Sequence, residues 1–202
     1  MITLVDYGLG NIQAFMNIYK RLNIPCTRAT SAAELQVAEK IILPGVGAFD
    51  WAMQRLQASG MRETLDYLVL EKKLPVLGIC VGMQIMARRS EEGVMDGLGW
   101  IPGVVKHFDA DLFKTKTRLP HMGWNDVHQE AHPLFEKLIS PRFYFLHSYY
   151  FVPDTQNQVL ARTEYGEQFS SAVYNEHIFG VQFHPEKSHH WGVQFLKNFG
   201  EL

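Results

Sequence analysis

Short apolar runs alternate with amphipathic stretches through the first half of the chain. Residues 2–5 are apolar and end at Asp6 and a glycine-rich turn, GLGN. Ile12, Phe15, Met16 and Tyr19 then recur at helical spacing. Residues 40–43 predict a buried strand closed by Pro44 and Gly45. Residues 48–56 and 61–70 predict helices, the second striped by Met61, Leu65, Leu68 and Val69. Residues 75–79 predict another buried strand, followed at once by a helical pattern from Gly82. Strands alternating with helices in this way predict an α/β fold, a central mostly parallel sheet with helices on both faces.

The second half is patterned differently. Residues 143–151, FYFLHSYYF, form one aromatic run that predicts a strand. Residues 159–163, 171–174 and 178–183 predict further strands, with a turn at 165–167. A helix over 191–199 closes the chain, carrying Val193, Phe195, Leu196 and Phe199. These strands are expected to be mixed or antiparallel and joined to the parallel core. The charged, weakly patterned stretch 106–118 is expected to be an exposed or mobile insertion.

Composition narrows the possibilities. With 202 residues, 47% hydrophobic and 20% charged, the chain suits a single domain over 1–202 with a real core, not a disordered segment. A net charge of -2 gives no field for gripping a phosphate backbone, so nucleic acid is not an expected partner. Two cysteines, Cys26 and Cys80, are too few for a disulfide framework, and Cys26 is expected to be structural. The start of the chain lacks the basic region of a signal peptide, and no apolar stretch approaches the ~18 residues of a membrane span. The expectation is a cytoplasmic protein without a membrane partner.

Candidate chemistry begins at 78–84, GICVGMQ. A residue flanked by glycine two places away on each side, between strand and helix, has the pattern of a nucleophile elbow. The glycines are needed because the turn is tight. The turn lifts Cys80 clear of the sheet. The following helix start supplies N–H groups and positive potential, which favour an anionic sulfur and an oxyanion. The plain alternative is a buried cysteine at a strand end.

Residues 180–188 read GVQFHPEKS. Proline pushes His184 into extended geometry, which would turn His184 and Glu186 to the same side. Glu186 can then hold the far ring nitrogen, making the base-and-orienter half of a triad. A surface loop is the alternative. His189 and His190, with His184 and Glu186, suggest a metal site, but adjacent histidines diverge and nothing completes a shell, so neither metal nor cofactor is expected. The loop PGVGAF at 44–49 follows a strand end, where glycines allow close approach to a ligand and an N–H for an oxyanion. It is not a phosphate-binding loop, since no Gly-Lys-Ser/Thr follows.

Taken in order, PGVGAF, GICVGMQ and QFHPEKS resemble the triad (class I) glutamine amidotransferases. VDYGLGN at 5–11, LPHMGWN at 119–125 and FYFLHSYY at 143–150 extend the resemblance over nearly the whole chain. They narrow it to the glutaminase subunits of imidazole glycerol phosphate synthase. The resemblance implies a flavodoxin-like fold and a Cys80–His184–Glu186 triad that hydrolyses glutamine through a γ-glutamyl thioester. It implies an oxyanion held by N–H groups of Val81 and of the 44–47 loop, at Val46 or Gly47. It implies that Gln84, Glu92, Ser148 and Tyr149 grip the amino-acid end of glutamine. The implied partner is a (β/α)8 cyclase in a heterodimer that receives the ammonia and, on binding its nucleotide substrate, activates a weak glutaminase. Asn11, Tyr144 and Lys187 match interface positions, with a core role as the alternative for Tyr144.

Three alternatives stay open. HPEKSHH and RFYFLHSYYF look more like second-copy members, which feed ammonia to a sugar amidotransferase in surface polysaccharide synthesis. A catalytically silent regulatory subunit is another. A stand-alone thiol hydrolase or peptidase is the third, opposed by the chain order, because Glu186 follows His184.

Overall fold

The computed structural model describes residues 1–113 and 118–202. The first half runs β1 (Ile2–Val5), α1 (Ile12–Arg21), β2 (Cys26–Ala29), α2 (Ala32–Leu35), β3 (Lys40–Gly45) and α3 (Phe49–Ala58). Then come α4 (Arg62–Asp66), a π-helical turn (Tyr67–Glu71), β4 (Val76–Cys80) and α5 (Val81–Gln84). The second half contains β5 (Gly103–His107), β6 (His121–Asp126), β7 (His128–Gln129), β8 (Arg142–His147) and β9 (Tyr149–Pro153). It ends with β10 (Val159–Tyr165), β11 (Glu167–Asn175), β12 (Ile178–Val181) and α6 (His189–Glu201).

Strands β2, β1, β3, β4 and β12 lie side by side and parallel. β1, β4 and β12 are buried throughout, which is why they read as unbroken apolar runs. The sheet continues antiparallel through β11, β10 and β7, and β9 pairs with β11 and β5. A separate ribbon pairs β6 with β8. α1 buries Phe15, Ile18 and Tyr19, and the Asn11 side chain caps it by accepting from the Ala14 N–H at 3.1 Å. Among the described residues no helix is long and apolar enough to cross a membrane.

Several predicted elements are redrawn. The run 143–151 is two strands in different sheets, broken at Ser148. β3 continues through Pro44 to Gly45, where it pairs with Cys80. The helix expected from Gly82 lasts one turn, because the chain folds back and the Arg88 and Gly97 N–H groups bond to Gly103 and Arg88 carbonyls. In the stretch 106–118, residues 114–117 lie outside the described residues. Lys106 and His107 end β5 and are exposed as expected, as are 109–111 and Arg118, whereas Phe108 is fully buried among aromatic rings.

Candidate active site

β4 and β12 are neighbours in register, Ile79 opposite Val181. Both run toward the same sheet edge, so Cys80 at the end of one meets His184 just beyond the other. Cys80 has φ 55° and ψ -116°. Such a backbone costs about 1–3 kcal/mol and persists only where its surroundings enforce it. Here the enforcement is close packing. A Cβ at Gly82 would stand 1.9 Å from the Leu43 carbonyl oxygen, and one at Gly78 would stand 2.7 Å from the Gly82 carbonyl oxygen. The glycine frame is therefore a requirement of the turn.

His184 is held by its backbone. Its N–H donates to the Tyr144 carbonyl at 2.9 Å, and the Ser188 hydroxyl donates to the His184 carbonyl at 2.6 Å. The residue is extended, φ -103° and ψ 93°, as its position before proline requires. Pro185–Lys187 then forms a 3-10 turn, not an extended segment. The carboxylate reaches the ring through that turn, with His184 Nδ1 2.9 Å from Glu186 Oε1. Both side chains are buried. Burial pulls the imidazole pKa down, but the charge and hydrogen bonding of Cys80, followed by those of Glu186, outweigh it and push it up to about 10. Nδ1 is committed to Glu186, which leaves Nε2 for the sulfur.

A cleft of about 330 Å³ opens over this centre. Val46, Gly47, Cys80, Val81, Gln84, Glu92, Ser148, Tyr149, His184 and Lys187 all line it. Glu186 lies behind the imidazole. Asn11 and Tyr144 do not line the cleft, although the Lys187 ammonium sits 5.6 Å over the Tyr144 ring. One Glu92 oxygen already accepts from the Phe49 N–H at 2.8 Å, at the start of α3. The Gln84 amide nitrogen donates to the Tyr149 carbonyl and to Gln182 Oε1, both at 3.0 Å.

Sequence reasoning missed three groups. The Gln182 amide nitrogen lies 3.7 Å from Cys80 Sγ. The Tyr7 hydroxyl donates to the Pro44 carbonyl at 2.7 Å, under the 44–47 loop, and burial followed by the charge at Cys80 drives its pKa far upward. His147 lines the cleft. Gln182 was visible as a polar residue inside an apolar run; the other two gave no signal of their own. His189 stacks on Trp124 and His190 packs on Trp191, so the two rings diverge. Among the described residues no group of three or more His, Cys, Asp or Glu could hold a metal ion. Cys26 is half-buried against Met16, and burial raises its thiol pKa to about 11.

The family model for glutamine amidotransferase class-I matches residues 3–201. The chain is 57% identical to the imidazole glycerol phosphate synthase subunit HisH of Bdellovibrio bacteriovorus, and 50% identical to that of Leptospira interrogans. Each alignment covers 100% of both chains. It is 45% identical to subunit HisH 2 of Pseudomonas aeruginosa, again over 100% of both. Among solved structures, a glutamine amidotransferase superposes with a TM-score of 0.74 at 21% identity, covering 98% of each chain. PurLQS from Thermotoga maritima gives a TM-score of 0.70 at 19% identity, covering 98% of this chain and 96% of that one. These two likenesses concern the fold.

Proposed function

The chain belongs to the class-I glutamine amidotransferase family, and from that premise we propose that it is the glutaminase subunit of an imidazole glycerol phosphate synthase. The observation that carries the chemistry is Cys80 on a strained turn facing an imidazole whose other nitrogen is tied to Glu186. Cys80 gives its proton to His184 Nε2 and attacks the side-chain amide carbon of glutamine. The oxygen becomes an oxyanion, received by the N–H of Val81 and by Val46 or Gly47 in the adjoining loop. His184 delivers its proton to the leaving nitrogen, the C–N bond breaks, and ammonia departs. Water, deprotonated by His184, attacks the γ-glutamyl thioester. The C–S bond breaks, the thiol recovers its proton, and glutamate leaves. Glutamine and water thus become glutamate and ammonia. Gln84, Glu92, Ser148 and Tyr149 hold the amino-acid end.

Ammonia in neutral water is mostly protonated and is no nucleophile, so it must pass directly to a second site. The partner in this reading is a (β/α)8 cyclase, docked around the cleft. Tyr144, Lys187 and Asn11 belong to its footprint. The outer face of the β6–β8 ribbon supports this. Met122, Trp124 and Leu146 are 65%, 37% and 40% exposed there, an apolar patch beside the triad. The names of the 57% and 50% identical relatives favour the histidine-pathway role over the polysaccharide one. The test is labelling of the purified chain by a glutamine-like diazoketone. Mass spectrometry should find the adduct on Cys80; no adduct there would overturn the reading.

A further inference from the structure

His121 and His147 lie on the inner face of the β6–β8 ribbon, both buried and unused by the triad. His121 Nδ1 is 2.9 Å from His147 Nε2, and His147 Nδ1 is 2.8 Å from the Tyr149 carbonyl oxygen. At the other end, Asn125 Nδ2 is 3.3 Å from His121 Nε2 and 2.8 Å from the Glu164 carbonyl oxygen.

These contacts fix every proton. A carbonyl only accepts, so the Asn125 atom facing Glu164 is the amide nitrogen. Its oxygen correspondingly accepts from the Asp126 N–H at 2.8 Å. His121 Nε2 must therefore accept, and its proton sits on Nδ1 and goes to His147 Nε2. His147 in turn carries its proton on Nδ1 and donates to the Tyr149 carbonyl, which is again an obligate acceptor. One arrangement satisfies all the atoms, and in it both rings are neutral. A further proton would set two donors face to face. Burial works the same way, lowering His121 to about 4 and His147 to about 3.

The Tyr149 carbonyl is shared. Gln84 Nε2 donates to it at 3.0 Å, so both its lone pairs are used. The second Gln84 N–H meets Gln182 Oε1 at 3.0 Å, which turns the Gln182 amide nitrogen toward Cys80 Sγ. A flipped Gln84 would set oxygen against oxygen at both contacts. Its own amide oxygen is left as the acceptor for a donor on the substrate.

We propose that His147, held in its neutral Nδ1–H form by His121 and Asn125, is a positioning residue that fixes the Tyr149 carbonyl and through it the Gln84 amide in the glutamine cleft. This rests on the glutaminase reading of the site.

The test uses the full chain and two variants. His147→Asn keeps an N–H donor where Nδ1 stands, and His147→Leu removes it. The leucine variant is expected to raise the KM for glutamine about tenfold while kcat falls far less, and the asparagine variant to recover most of that KM. Equal KM values for wild type and the leucine variant, or equal losses in both variants, would overturn the proposal. Nitrogen-15 spectra of histidine-labelled wild type test it without substrate and without relying on either variant folding. Both rings should be neutral Nδ1–H tautomers at pH 7, and a proton on His147 Nε2 would refute it. If wild type releases no glutamate, the glutaminase reading falls, while these spectra still decide the hydrogen-bond chain.

Discussion

Nδ1 of His184 and Oε1 of Glu186 stand 2.9 Å apart with only Pro185 between the two residues in the chain. The other carboxylate oxygen is buried and has no hydrogen-bond partner among the described residues. The acid therefore directs its pairing to the imidazole. Replacing it by Glu186→Gln puts an amide against Nδ1, where its N–H donors favour the wrong tautomer. Glutaminase kcat is expected to fall by roughly 10²–10⁴ with little change in KM. The same variant removes one of the groups that raise the His184 pKa, so the limb of the pH–rate profile governed by that ring should move to lower pH.

The strain at Cys80 gives a stability prediction opposed to activity. Cys80→Gly and Cys80→Ala both remove the sulfur and both should abolish glutamate release. Only glycine tolerates φ 55° with ψ -116° without penalty. Thermal melts should place the glycine variant about 1 kcal/mol above the alanine variant. Gly82→Ala should do the reverse and lose about 1–3 kcal/mol or more, since its Cβ would meet backbone at Leu43.

The buried imidazoles predict an acid-side loss of stability. Burial lowers His121 to about 4 and His147 to about 3 in the folded chain, against about 6.5 when unfolded. Below pH 6.5 the unfolded chain binds protons that these folded rings refuse. Stability is thus full above pH 6.5 and falls as the pH drops toward 4. Melting curves should record a decline of roughly 1–2 kcal/mol per pH unit in that window. His184 has the opposite sign. Its raised pKa leaves it protonated in both states below pH 6.5, and its contribution is lost as the pH rises toward about 10.

Docking of the proposed cyclase partner should depend on the exposed ribbon face. Met122 is 65% exposed, so Met122→Asp carries little folding cost. The variant should melt within about 1 kcal/mol of wild type. Its affinity for the proposed cyclase partner should fall at least about tenfold by titration calorimetry, because docking there would bury a charge in place of an apolar side chain.

The parallel core and the meeting of Cys80, His184 and Glu186 were legible because their signals are local. A fully buried strand reads as an apolar run, and Gly78 and Gly82 mark a turn that admits no other residue. The β6–β8 ribbon was not legible as such. In β6 the usual pattern is inverted, with His121 buried while Met122 and Trp124 face outward. β8 and β9 merged into one aromatic run because the break at Ser148 separates two strands that are both rich in aromatics. The His121–His147 pair joins residues 26 positions apart, and no spacing rule anticipates that pairing. The i, i+2 argument for His184 and Glu186 expected the right contact from the wrong geometry, since a turn makes it.

The most direct test is glutamate release from glutamine by the purified chain, alone and with the proposed cyclase partner and its nucleotide substrate. A partner-activated glutaminase should show a low rate alone, a strong rise only when both are added, and none in a Cys80→Ser variant. A rate that stays flat with that cyclase and nucleotide, or one that survives loss of the Cys80 sulfur, would contradict that reading.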